Sequence, residues 1–223
     1  MSAFRLALSQ GANGIETDVQ MTKDGVLVLF HDEDMMRLTG VEGKISDYTY
    51  KQLAALDVIG GADMDMTGKI PTFEEFLKEF ANEDMSFVIE IKQNGIEKQI
   101  IEMLDKYEMF NKNTKIISFN IEHLQNVRKH SKDYELGYLV REYDIGIVKQ
   151  MNELGITLIS PKTKILDKDV VKSMHMNGFV IQSWGAYVEK SIKYTYDLGV
   201  DAMVVDQPDI LINHIKTKHK DGE

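Results

Sequence analysis

The chain has no cysteine among its 223 residues, which removes disulfides, thiolate nucleophiles and zinc–sulfur sites from consideration. No apolar run approaches the ~20 residues of a membrane span, and no signal peptide opens the chain. No linker, low-complexity tract or change of composition marks a second domain. A single cytoplasmic domain is expected. Positive charge is in deficit: 26 Lys and Arg face 36 Asp and Glu, a formal net charge of −10. That argues against a nucleic-acid backbone as partner. It does not exclude a phosphodiester, because a bound cation inverts the local field. Tryptophan occurs once, at Trp184, and the thirteen methionines read as core filling.

What is there starts with Gly14-Ile15-Glu16-Thr17-Asp18-Val19. Apolar and polar residues alternate with the period of a strand, so Glu16 and Asp18 share one face. Two carboxylates side by side on a mostly buried strand repel each other and lose hydration, so they require a cation or take up protons. Oxygen ligands of this kind suit a hard divalent ion such as magnesium or calcium. The turn Asp24-Gly25 and the apolar run Val26–Phe30 follow, and the connection is too short for a parallel crossover. The two strands therefore form an antiparallel hairpin that returns His31-Asp32 toward the carboxylates, where an imidazole is a candidate for proton transfer. Each piece alone is also compatible with a surface hairpin carrying solvated acids.

Further along, Thr72 and Glu75 form a capping box at the start of a helix with Phe73, Phe76, Leu77 and Phe80 on one stripe, a core-facing pattern. Phe87–Lys92 alternates again and sets Glu90 and Lys92 on one face; by itself this pair also fits a buried salt bridge. Strand–helix units then repeat, with strands at Ile116–Phe119, Leu136–Val140, Thr157–Ser160, Phe179–Trp184 and Ala202–Asp206. Intervening helices are read at about 95–109, 121–130, 143–154, 168–177, 188–198 and 208–218. Short β–α–β spacing of this kind means parallel strands with helices outside. Seven parallel strands are counted where a closed barrel needs eight. The chain opens instead on a helix, Ser2–Gln10, so the edges of the first and last strands are expected to lie open.

Glu-Thr-Asp-Val at 16–19, Thr-Lys-Asp-Gly at 22–25, an apolar strand ending His31-Asp32, Pro71–Glu75 and the Glu90-x-Lys92 pair together resemble the glycerophosphodiester phosphodiesterase family. The likeness runs along the chain and is looser between Ile116 and Ser160. It implies an α/β fold, a TIM (β/α)8-type barrel of the phospholipase C-like phosphodiesterase kind, with the first strand missing. Residues 1–223 would form one domain with a small insertion at about 33–70. The activity implied is metal-dependent hydrolysis of a small-molecule glycerophosphodiester to glycerol 3-phosphate and an alcohol. A divalent cation, Mg or Ca, would be held by Glu16, Asp18 and Glu90, with His31 as a proton-transfer group. Lys92, Trp184 and Phe119 would contact substrate, although Gly185 follows Trp184 where the family often has threonine.

The family's His-Arg-Gly and Pro-Glu-Asn-Thr motifs do not occur here, and the second proton-transfer histidine belongs to the first of them, so weak metal binding and slow or no turnover are expected. Asp206 is read as a cap for the helix at Pro208. His123, His130, His214 and His219 are read as surface helix residues without a role, and His175 as structural. A related phospholipase C- or D-type phosphodiesterase and a non-catalytic binding module remain as alternatives. An oligomer formed through the open barrel edge is a further expectation.

Overall fold

The computed structural model describes residues 1–60 and 66–221. Helix α1 (Ser2–Ser9) leads into β1 (Gly14–Met21), which turns back as β2 (Leu27–Leu29). The turn between them is closed by Thr22, whose hydroxyl donates to Asp24 Oδ1 at 2.6 Å and accepts from the Val26 amide at 3.0 Å. Gly25 takes φ +83°, a backbone conformation that glycine adopts without a Cβ penalty. Next come α2 (Met36–Thr39), α3 (Tyr50–Ala55), β3 (Val58–Gly60), β4 (Met66–Gly68), α4 (Phe73–Phe80) and β5 (Ser86–Ile91). From there strand and helix alternate: α5 (Glu97–Lys106), β6 (Asn113–Ser118), α6 (Ile121–His130), β7 (Glu135–Val140), α7 (Ile145–Glu153), β8 (Leu158–Pro161), α8 (Lys168–Met176), β9 (Val180–Ser183), α9 (Glu189–Asp197), β10 (Ala202–Met203) and α10 (Pro208–Asp221).

The main sheet runs β10-β9-β8-β7-β6-β5-β1-β2. All its neighbours are parallel except β1 and β2, which pair antiparallel with Val19 opposite Leu29. The seven parallel strands counted in the sequence are the seven found. The expected hairpin is found too, and so is the Thr72–Glu75 capping box at α4. This is an α/β fold with a curled, mostly parallel sheet, of the TIM-barrel type.

Two apolar layers hold it. Outside, α4 packs Phe73, Phe76, Leu77 and Phe80, all buried, against the sheet around Phe87 and Ile89. Phe4 of α1 meets Phe76 edge-on at 5.2 Å, which seats the first helix. Inside, Val88, Ile117, Leu139 and Leu158 fill the lumen beneath Phe119 and Trp184. Opposite residues alternate between these layers along each strand, so lumen positions are fixed by parity.

β1 and β10 do not pair. Between them lies a cleft of about 450 Å³, lined by α1, α10, Gly14, Glu16, Met203 and Asp206. β10 spans only Ala202–Met203 rather than 202–206, because a strand supported by one neighbour has half the ladder to hold it. Residues 33–70 are richer than the one helical patch read from sequence. They add α2, a 3-10 turn at Ile45–Asp47 and the antiparallel pair β3–β4. Met35, Ile45, Leu53 and Ile70 close this segment over Val28 and Phe30 as a small core of its own. Those apolar residues are too widely spaced to carry either period, which hid the segment's order.

Candidate active site

The register of β1 on β5 sets Asp18 directly opposite Glu90, and Glu16 opposite Val88. Side-chain alternation then turns Glu16, Asp18, Glu90 and Lys92 to the lumen together. One oxygen from each of Glu16, Asp18 and Glu90 lies within 4.8 Å of the others. Asp18 and Glu90 are 8% and 7% exposed. Lys92 Nζ stands 3.3 Å from Asp18 Oδ1 and 3.1 Å from Glu90 Oε1. Asp18 Oδ1 is buried without a hydrogen-bond partner: Lys92 comes within ion-pair range but outside hydrogen-bonding geometry. Three converging hard oxygen donors and one unsatisfied carboxylate oxygen fit a divalent cation.

The electrostatics agree. Burial, and then the charges of Asp18 and Glu90, push the Glu16 carboxyl well above the usual carboxylate range. Burial and Asp18 raise Glu90 to about 7. Burial pulls the Lys92 ammonium down, but Asp18 and Glu90 outweigh it and the net shift is upward. Without a cation, three acids with one lysine leave negative charge uncompensated.

His31 lies just past β2, and the Phe30 amide donates to Asp18 O at 3.1 Å, which ties this segment to the ligand strand. Gln20 Nε2 fixes the segment further by donating to Phe30 O at 2.8 Å and Asp32 O at 2.9 Å. His31 Nδ1 is 2.8 Å from Asp32 Oδ1. Arg37 grips Asp32 with two bonds of 2.7 and 2.9 Å and, by hydrogen bonding, holds its carboxyl below the usual range. With Nδ1 engaged, Nε2 is the ring nitrogen free of a partner among the described residues. The ring is 69% exposed and stands outside the carboxylate cluster. It shares a cavity of about 540 Å³ with Lys92, Gln20, Lys44 and Gln93.

Phe119 and Trp184 meet edge-on at 5.2 Å above the lumen core. Trp184 Nε1 donates to Ser160 O at 3.0 Å, which locks the indole. Two cations that sequence reading passed over join them. The Arg141 guanidinium lies 3.8 Å from the Phe119 ring centre, and Lys162 Nζ lies 5.4 Å from that of Trp184. The available signal was their position, since each is the first residue after its strand.

Two readings are corrected. His123 is not a surface residue: it is 4% exposed, with Nδ1 2.9 Å from Ser118 Oγ and Nε2 hydrogen-bonded to Asn94. Its spacing of four from buried Val127 puts it on the inner stripe of α6. Asp206 makes no capping bond among the described residues; it is exposed at the cleft and contributes to raising Glu16. His175 and His214 pair with Asp201 and Asp197 at 3.0 and 3.1 Å, as structural contacts.

Three acids and a lysine turned into the lumen from two neighbouring parallel strands, with an imidazole on the adjoining hairpin, are the layout of a barrel enzyme. Residues 1–210 match the glycerophosphoryl diester phosphodiesterase family, and the chain belongs to it. It is 31% identical over 225 residues to a glycerophosphodiester phosphodiesterase of Caldanaerobacter subterraneus subsp. tengcongensis, covering 97% of this chain and 91% of that one. A Bacillus altitudinis protein of the same name is 33% identical over 220 residues, 94% of this chain and 89% of that one. Among solved structures, the Thermotoga maritima glycerophosphodiester phosphodiesterase aligns with TM-score 0.75 and 27% identity, over 95% of this chain and 89% of that one. An Oleispira antarctica phosphodiesterase in complex with its product sn-glycerol-3-phosphate aligns with TM-score 0.85 and 23% identity, over 96% and 90%. Among the described residues no helix is long and apolar enough to cross a membrane.

Proposed function

We propose that the protein hydrolyses small-molecule glycerophosphodiesters to glycerol 3-phosphate and an alcohol, using a magnesium or calcium ion held by Glu16, Asp18 and Glu90. The observation that carries this reading is the buried acidic triad with its unsatisfied Asp18 oxygen, in a chain of this family. The ion, when bound, supplies Lewis-acid charge at a phosphoryl oxygen. Lys92 brings a fixed positive charge to the same edge of the triad and draws the substrate phosphate toward it. His31, oriented through Nδ1 by Asp32 and Arg37, gives or takes the reaction proton at Nε2. Trp184, with Phe119 packed edge-on beside it, forms the apolar wall of the substrate pocket.

The reading takes 1–223 as one catalytic domain with 33–70 as an insertion at its rim. The first part of β1, Gly14–Thr17, which β2 does not cover, offers backbone groups through which copies can pair; size-exclusion chromatography with light scattering tests that. The chemistry is tested by phosphorus NMR of glycerophosphocholine after dialysis against chelator. Glycerol 3-phosphate is expected to appear on addition of magnesium or calcium and not in Glu90→Ala. Phosphocholine as the product would place the protein with the phospholipase C type instead, and no turnover with any cation would favour a binding module.

A further inference from the structure

β5, β6, β7, β8 and β9 end at Ile91, Ser118, Val140, Pro161 and Ser183. The first residue past each is Lys92, Phe119, Arg141, Lys162 and Trp184 in turn. Strand parity turns all five to the lumen side, so they form one row around its mouth. Lys92 is engaged by Asp18 and Glu90. Arg141 and Lys162 are not paired with any acid among the described residues. They rest on aromatic faces: Arg141 lies 3.8 Å from the Phe119 centre and 5.8 Å from the Trp184 centre, and Lys162 lies 5.4 Å from Trp184. The scaffold beneath them is fixed, because the Trp184 amide donates to Pro161 O at 3.1 Å and the Thr163 amide donates to Trp184 O at 2.8 Å.

In a chain of net charge −10, two cations within 5.8 Å of one indole centre and without an acidic partner among the described residues leave a local positive charge that an anion would neutralise. A guanidinium stacked on a ring keeps its in-plane N–H donors free, in the fork that matches a carboxylate or phosphate. An aromatic wall by itself would favour a quaternary ammonium. Here the Phe119 face is already covered by Arg141, and both cations repel an incoming ammonium. The wall therefore selects by charge in the opposite sense.

We infer that Arg141 and Lys162 form a second anion-binding position beside Trp184, separate from the triad and Lys92, for a carboxylate or phosphate carried on the alcohol part of the diester. The protein thus prefers glycerophosphodiesters whose alcohol is anionic over those whose alcohol is neutral or cationic. This rests on the function proposed above.

The test is calorimetric titration of full-length His31→Ala protein in the presence of magnesium or calcium, so that ligands survive the measurement. The probes are glycerophosphoinositol 4-phosphate, glycerophosphoinositol, glycerophosphocholine and glycerol 3-phosphate. The inositol phosphate diester is expected to bind about tenfold or more tightly than the neutral diester, and glycerophosphocholine weakest. Arg141→Gln with Lys162→Gln should erase that order while changing glycerol 3-phosphate binding less than about twofold, and Arg141→Lys should recover part of it. The same order in the double variant overturns the inference. Equal weakening of all four ligands also overturns it, by making the pair a contact to the phosphate that is cleaved. Binding of none of the four by a protein that melts cooperatively overturns the function proposed above, and this inference with it.

Discussion

Replacing Glu90 with glutamine separates what the triad does for folding from what it does for an ion. In the folded, cation-free protein, burial and Asp18 raise the Glu90 carboxyl from 4.5 to about 7. The unfolded chain gives up this proton near 4.5 and the folded one holds it until about 7, so protonated Glu90 stabilises the fold fully at low pH. That contribution is lost progressively as pH rises from about 4.5 through 7. At pH 8 both states are ionised, and the folded one carries a penalty of at most about 3–4 kcal/mol, with about 1–3 kcal/mol expected once Lys92 and solvent respond. A glutamine amide keeps the shape of the protonated acid and removes the charge. Metal-free Glu90→Gln should therefore melt about 2–10 °C above the parent at pH 8 and close to it at pH 4.5. Adding calcium or magnesium should raise the parent's melting temperature at pH 8 and leave the variant's nearly unchanged. Scanning calorimetry at both pH values, with and without chelator, reads all of this. A variant less stable than the parent at pH 8, or one still stabilised by the cation, would refute the reasoning.

Three further outcomes are expected. His31→Ala should lower the rate of glycerophosphocholine cleavage about 10²–10⁴-fold while leaving the cation-induced rise in melting temperature intact, which phosphorus NMR and melting curves check together. Gly137→Ala should destabilise by about 1–3 kcal/mol in urea unfolding, because its Cβ would come 2.7 Å from Leu158 and 2.8 Å from Ile117 inside the lumen. His123→Ala should cost about 1–3 kcal/mol by stripping Ser118 and Asn94 of a buried partner; an unchanged urea midpoint would return His123 to the surface role read from sequence.

The sequence carried the parts of this fold that obey a simple period. Alternation at 14–19 and 87–92 placed four lumen side chains, and their convergence follows once β1 pairs with β5. That pairing crosses seventy residues and is not a local signal; it came from the family likeness, not from spacing. Aromatic periodicity exposed α4 for the same local reason, while 33–70 stayed obscure because its apolar residues obey neither period. His123 was misplaced through weighing residue type above its spacing from Val127. Arg141 and Lys162 were missed because a charged residue after a strand looks like any surface loop until neighbouring strands line up five such positions in one row.

The central claim is that Glu16, Asp18 and Glu90 hold one divalent ion. Isothermal titration of the chelator-treated protein with calcium and with magnesium tests it directly, beside Asp18→Asn. One ion per chain is expected for the parent with at least one of the two metals, and none at that site in the variant. Absence of saturable binding by a folded parent, or undiminished binding in Asp18→Asn, would contradict the account.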